Sequence, residues 1–165
     1  MLRPLVLFGT IIALAACAAI PRRDSVRVGD SQTQVRERLG APGAERKLAS
    51  GSAAWYYMTG PSGFETWRVV FGPGGTVAEY AQVLTAVNFV WLREGASREE
   101  ALDRLGPPMQ RMGFRGTATD AWTYRWRDGT FEMIADAVFD AQSGAVKYVG
   151  IYRDPAYAST PTGFR

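Results

Sequence analysis

One motif occurs twice in this chain of 165 residues, and its two copies lie 66 positions apart. Both copies begin Gly-x-Ser and end Arg-Leu-Gly-x-Pro, over Gly29–Pro42 and Gly95–Pro108. An internal repeat constrains the fold more than any local signal, because each copy must form the same supersecondary unit. The sequence therefore predicts two copies of one small unit.

Each copy of the motif predicts a short helix, the first over residues 32 to 39. Ser31 with Gln34 and Ser97 with Glu100 fit capping boxes, which satisfy free backbone N–H groups of the first turn. The closing glycine and proline predict the helix end. Helices this short are not stable alone in water, so apolar side chains must hold them in place. The residues expected to do so are Val35, Leu39, Leu102 and Leu105.

The repetition continues beyond the helices as matched strand patterns. The matches are Trp55-Tyr56-Tyr57 with Trp122-Thr123-Tyr124, Phe71 with Phe139, and Gly75-Thr76-Val77 with Gly144-Ala145-Val146. Alternating apolar residues between glycine turns predict three strands per unit. We therefore expect an α+β fold of two tandem repeats, each a short helical segment packed on a three-stranded antiparallel β-meander. A unit of about 60 residues is marginally stable alone, so the two should share a core or a sheet.

The predicted organisation divides the chain into five segments. A leader over residues 1–16 and a tether over 17–25 precede a first repeat at 26–87 and a second at 88–152. The apolar stretch from Thr85 to Glu94 is interpreted as an extended crossing that packs between the units. The segment 153–165 has two prolines and no periodicity, which is typical of a flexible tail.

The first 16 residues have the charge and order of a secretory leader. Arg3 precedes an apolar run from Leu5 to Ala15, which is far shorter than the roughly 20 residues of a membrane-spanning helix. The run ends Leu14-Ala15-Ala16-Cys17, which resembles the lipobox of bacterial lipoproteins. That resemblance implies acylation of Cys17, and Ala18 after it implies the periplasmic face of the outer membrane. The alternative is an ordinary cleavage site at which Cys17 is incidental.

The repeated unit resembles the BamE (SmpA/OmlA) family of small outer-membrane lipoproteins. The residues that carry this resemblance are the Gly-x-Ser start, the Leu-Gly-x-Pro stop, Trp-x-Tyr, the phenylalanine strand and the glycine turn before valine. The family motif usually begins Gly-Met-Thr, whereas here it is Gly29-Asp30-Ser31 and Gly95-Ala96-Ser97, and the unit occurs twice. The resemblance implies a helix on a three-stranded sheet and partners among outer-membrane assembly proteins. The tandem arrangement is also similar to that of secreted beta-lactamase inhibitor proteins, which carry disulfides and no lipobox.

Composition argues against several functional classes. The net charge of +3 is too small to indicate nucleic-acid binding. With no histidine and one cysteine, the chain lacks the usual zinc ligands and hydrolase bases. We therefore expect no metal, no cofactor and no enzymatic activity. Asp136 and Asp140 are the nearest approach to a carboxylate pair, and they are interpreted as solvated or turn residues.

A partner surface is predicted on the outer faces of the strands. Tyr56 belongs to a strand that is aromatic on both sides, and Arg68, Arg125 and Arg127 alternate with buried-type positions. These four residues could dock a protein or lipid headgroups, or the arginines could simply solvate the sheet. Two functions stay open: a lipid-anchored interaction scaffold, and a periplasmic binding or inhibitor module that uses the concave face of a joined sheet.

Overall fold

The computed structural model describes residues 21–22, 24–59, 63–92 and 95–157. The predicted leader, lipobox and Cys17 lie outside these residues. The elements, in chain order, are α1 (Gln32–Leu39), β1 (Ala44–Lys47), β2 (Ala53–Met58), β3 (Thr66–Phe71), β4 (Val77–Gln82), α2 (Ala86–Trp91), α3 (Arg98–Leu105), β5 (Gln110–Phe114), a 3-10 turn (Arg115–Thr117), β6 (Thr119–Asp128), β7 (Phe131–Asp140) and β8 (Val146–Arg153). None of the helices in these ranges has the length and apolarity needed to cross a membrane.

The strands form two antiparallel sheets of four strands each, ordered β1-β2-β3-β4 and β5-β6-β7-β8. The chain is thus mostly β with a few short helices, in keeping with an α+β fold. The prediction of three strands per sheet is wrong, because β1 and β5 were missed. Both are edge strands: β1 is mostly polar, and β5 is exposed along its whole length although it contains Met112 and Phe114. Backbone pairing with the neighbouring strand defines them, and neither strand has a buried apolar face that would indicate it in the sequence.

The two predicted capping boxes are confirmed. Ser31 and Ser97 each accept a hydrogen bond from the backbone N–H three residues on, and the side chains of Gln34 and Glu100 accept one from the serine N–H. Each helix ends at a glycine with φ of 78° or 77° and ψ of −161° or −170°. This conformation, positive in φ and extended in ψ, is essentially restricted to glycine. It is more demanding than the left-handed helical conformation that the sequence predicts.

Each sheet carries a helix and a core on one face. In the first unit, Val35 and Leu39 are buried as predicted. In the second, Leu105 is buried as predicted but Leu102 is only partly so, because Ala101 takes the inward position. The first core contains Val26, Val35, Leu39, Trp55, Tyr57, Trp67, Val69, Phe71 and Val77. The second contains Leu84, Phe89, Leu92, Ala96, Ala101, Leu105, Trp122, Tyr124, Trp126, Ala135, Ala137, Phe139 and Val146.

The segment between the units is a helix rather than the predicted extended crossing. Helix α2 begins after Thr85, whose side chain accepts a hydrogen bond from the Asn88 N–H. Phe89 is buried, with its ring centroid 5.3 Å from that of Trp126. The second core therefore begins at Leu84, ahead of the predicted boundary between residues 87 and 88.

The chain remains packed at the start of the predicted tail. Arg153 is the last residue of β8, and Asp154 is 3% exposed. The N–H of Asp154 donates a hydrogen bond to the Glu132 carbonyl. The prediction of a flexible segment from Arg153 is therefore wrong for its first residues, and 158–165 lie outside the described ranges.

Alkaline pH is expected to destabilise this fold. Burial raises the pKa of Tyr56, Tyr57 and Tyr80 from 10.0 to about 12. A tyrosine whose folded-state pKa is raised contributes stability that is fully present below its unfolded pKa. Denaturant unfolding should therefore show a constant contribution below pH 10 and a loss between pH 10 and 12. Equal unfolding free energies on both sides of that window would contradict this.

Candidate functional site

The outer face of the first sheet is an internal contact. The end of helix α3 lies over it, and the Asp103 carbonyl accepts hydrogen bonds from the Tyr56 hydroxyl at 2.8 Å and Arg68 Nη1 at 3.0 Å. The Asp103 carboxylate is 2.7 Å from Arg46 Nε. Carbonyls of the last helical turn have no partner within the helix, so the sheet supplies one. Tyr56 is fully buried by this contact.

The predicted partner surface is therefore wrong at Tyr56 and is not continuous. Arg68 is mostly covered and pairs with Glu79 at 2.7 Å. The aromatic strand β2 does have side chains on both faces, but the expectation that one face is exposed is wrong, because the second unit covers it. The sequence does not show which sheet the helix of the other unit will cover.

Gly106 lies at a close contact between the two units. A Cβ atom at this position would be 2.7 Å from Tyr56 Cδ1 and 3.2 Å from Thr66 Cγ2. The backbone φ of +77° also disfavours any other residue. This glycine thus ends α3 and permits the contact between units.

Arg125 and Arg127 lie on the outer face of the second sheet, as predicted, and both are already partnered. Arg125 Nε is 2.8 Å from Asp154 Oδ2. The two atoms form an ion pair although their alignment does not meet hydrogen-bond geometry. Arg127 is half exposed, 3.3 Å from Glu132 Oε1, and its guanidinium lies 4.6 Å from the centroid of the Phe64 ring.

The same outer face carries an exposed apolar row. Tyr148, Val138, Ala121 and Met112 lie side by side across β8, β7, β6 and β5. Tyr148 is 60% exposed and Met112 is 46% exposed, while Val138 between them is buried. We name this row, together with the exposed side chains of Phe114 and Tyr152, the outer strip.

A polar row runs beside the outer strip. Gly150 is paired with Asp136, Asp136 with Thr123, and Thr123 with Gln110. Asp136 Oδ1 accepts a hydrogen bond from Thr123 Oγ1 and Oδ2 accepts one from the Tyr152 hydroxyl, both at 2.6 Å. The hydrogen bond to Asp136 raises the pKa of Tyr152 to about 12.

The two aspartates differ in their roles. Asp140 is a turn residue, as predicted: its carboxylate accepts hydrogen bonds from the N–H groups of Gln142 and Ser143. Asp136 does not fit that interpretation, because it lies within β7 and is held by side chains from both neighbouring strands. Its surroundings depend on cross-strand register, which the sequence alone does not fix.

A cavity of about 270 Å³ opens at the junction of the two units, and we name it the seam pocket. Its lining is largely apolar, with one carboxylate and one guanidinium. The lining residues are Met58, Gly63, Glu65, Thr66, Leu84, Pro107, Pro108, Met109, Tyr124 and Arg125. Because both units contribute to it, no single motif in the sequence indicates it.

These features are suited to binding. The outer strip offers aromatic and thioether side chains, which are typical of contact surfaces. Within the described ranges, no group of three or more His, Cys, Asp or Glu side chains could hold a metal ion.

Comparisons with known proteins identify no family. No family model matches the chain, and no curated protein matches it. A search of solved structures finds similarity to the crystal structure of a DUF4309 family protein (YjgB) from Bacillus subtilis subsp. subtilis str. 168. The sequence identity is 14%, the TM-score is 0.30, and the match covers 83% of this chain and 88% of that chain. A similarity at this level supports no conclusion about function.

Proposed function

We propose that this chain is an outer-membrane lipoprotein, anchored at Cys17 on the periplasmic face, that binds other envelope proteins without catalysing a reaction. Its proposed partners are outer-membrane assembly proteins, as the resemblance of the repeated unit to the BamE family implies. The lipobox supports the anchor. The outer strip is the observation that carries the binding role.

The two units are best explained as tandem repeats of one ancestral unit. Support comes from the matching capping boxes, the matching glycine conformations at the ends of α1 and α3, and the same strand order in both sheets. In this arrangement, α3 covers the outer face of the first sheet. Helices α2 and α3 pack in the second core and α1 in the first, so no described helix occupies the outer face of the second sheet. Within the described ranges, that face is therefore open to a partner at the exposed side chains of the outer strip.

The outer strip has the chemistry of a contact surface. Phe114 is 45% exposed and Tyr152 is 44% exposed, and they flank the row that contains Tyr148 and Met112. Burying apolar surface contributes about 25 cal/mol per Å², and tyrosine is among the residues enriched at binding hot spots. Ile134 and Val138, the cross-strand partners of Tyr152 and Tyr148 on the same face, are buried beside them.

Site-specific photo-crosslinking in intact cells tests this proposal. A photoreactive phenylalanine derivative at position 148 of the full chain is expected to yield adducts with outer-membrane assembly proteins, identified by mass spectrometry. The matched control is position 87, because Val87 is 75% exposed on α2 and lies away from the strip. Equal adducts at both positions, or none at position 148, would refute the proposed docking face.

The seam pocket supports a second candidate, a periplasmic binding or inhibitor module. Its apolar lining and its volume of about 270 Å³ suit a single inserted apolar side chain. Crosslinks from Met109, which lines the pocket and is 39% exposed, to one soluble periplasmic enzyme would favour this candidate over the scaffold.

A further inference from the structure

The charge of Asp136 is not balanced by a neighbouring cation. Both carboxylate oxygens accept hydrogen bonds from hydroxyl groups, which donate a proton but carry no positive charge. In the ranges that the structure describes, no lysine or arginine lies within ion-pair distance of Asp136. Arg125 is paired with Asp154, and Arg127 with Glu132.

The outer face of the second sheet around Asp136 therefore has a negative local charge, although the chain as a whole is basic. Three carboxylates, Asp136, Asp154 and Glu132, face two guanidinium groups, Arg125 and Arg127, which leaves a local charge of −1. The whole chain has a net charge of +3. Charge complementarity at this face therefore favours a cationic group.

Two tyrosines flank an open gap beside Asp136. Tyr148 and Tyr152 lie on the same face of β8, with Gly150 midway between them and paired with Asp136. A Cβ atom at Gly150 would meet nothing within 4 Å. At a rise of about 3.3 Å per residue, the Cα atoms of the two tyrosines are about 13 Å apart along the strand. The Tyr152 hydroxyl reaches across to Asp136, and the space above Gly150 is left for one extended side chain.

A lysine side chain matches this arrangement better than other occupants. Its apolar stem can contact the tyrosine rings while its ammonium group reaches the carboxylate. A purely apolar side chain would desolvate Asp136 without compensation. Each carboxylate oxygen already accepts one hydroxyl, which leaves one free lone pair on each oxygen. An arginine fork must align with the free lone pairs of both oxygens in one plane, whereas an ammonium group needs only one of them.

We propose that the partner protein inserts a lysine side chain between Tyr148 and Tyr152, where its ammonium group pairs with Asp136. This inference rests on the proposed function, because it specifies how the outer strip recognises its protein partner. Asp136 supplies charge recognition, and the two tyrosines supply the apolar contact.

Peptide titrations of the full chain in detergent micelles, followed by ¹⁵N–¹H NMR, test the inference without the natural partner. The probe is N-acetyl-Gly-Lys-Gly-amide, and its twin carries an acetylated lysine ε-amine, which removes the positive charge. The lysine peptide is expected to give saturable shifts at Gly150 and Tyr152, with a dissociation constant on the order of 1 mM. The acetylated twin should bind at least tenfold more weakly. Equal binding of the two peptides would overturn the inference.

Two variants and one control locate the effect. Asp136→Asn should weaken binding of the lysine peptide at least tenfold, and Gly150→Val should do so by filling the gap while Asp136 remains. The control Glu37→Gln removes one negative charge from an exposed position on α1 and should leave binding unchanged. The proposed lysine site would be contradicted if both variants bound the lysine peptide as tightly as the unmodified chain, or if the control lost as much affinity as the variants. Preserved amide spectra away from β7 and β8 establish that the variants are folded.

Crosslinking separates this inference from the function on which it rests. If position 148 still crosslinks to its partner with unchanged yield in Asp136→Asn, the docking face stands and the lysine site fails. If position 148 gives no adduct in the otherwise unmodified chain, the proposed function fails whatever the peptide does.

Discussion

Gly106→Ala is expected to lower the free energy of unfolding by about 3 to 5 kcal/mol, combining backbone strain with overpacking. The glycine has φ of +77°, and an added Cβ would lie 2.7 Å from Tyr56 Cδ1. Tyr56 cannot move away easily, because its ring is buried and its hydroxyl is bound to the Asp103 carbonyl. Chemical denaturation followed by tryptophan fluorescence measures the loss.

Gly75→Ala is the matched control for this prediction. Gly75 has a similar φ of +72°, but a Cβ there would meet nothing within 4 Å. Backbone strain alone should cost about 1 to 2 kcal/mol. Equal losses in the two variants would mean that the added Cβ at Gly106 meets no steric resistance from Tyr56.

Cys17→Ser is expected to move the protein from the membrane fraction to the soluble periplasmic fraction. Each buried methylene of an acyl chain contributes about 0.8 kcal/mol to membrane binding, and a serine hydroxyl removes the thiol that the lipobox chemistry requires. The folded region is not expected to replace the anchor. Fractionation and intact-mass measurement of the mature chain test this.

The matched control for the anchor is Ala18→Asp, which leaves the cysteine in place. By the sorting pattern of bacterial lipoproteins, this variant should stay membrane-bound but leave the outer membrane. Membrane attachment of Cys17→Ser, or a mature chain that begins beyond residue 17 without a fatty acid, would refute the anchor.

The sequence predicts those elements whose ends are marked by nearby residues. Helices α1 and α3 are predicted because a serine, a residue three positions later and a glycine mark each of them. The central strands are predicted because their inward faces alternate. Strand β1 and helix α2 are not predicted. Strand β1 forms through pairing with β2, which its own residues do not indicate. Helix α2 has only six residues, and Val87 and Val90 are exposed while Phe89 is buried, so it has no clear apolar face.

The candidate site was predictable only in part, because it depends on register. Arg125 and Arg127 were placed on the correct face by alternation alone. The grouping of Thr123, Asp136 and Gly150 requires the pairing of three strands, including a shift between Val138 and Phe139. The sequence does indicate that Tyr148, Gly150 and Tyr152 share one face of a strand, because they occupy alternate positions.

Asp136 also limits how far such a chain could grow. It lies 68 positions after Arg68, the same offset that relates Phe139 to Phe71. Where Arg68 donates a hydrogen bond to the carbonyl at the end of α3, an incoming third helix would meet a carboxylate instead. The partial negative charge at the end of a helix would be repelled by this carboxylate, so stacking of a further helix end on the second sheet, from the same or another molecule, is disfavoured.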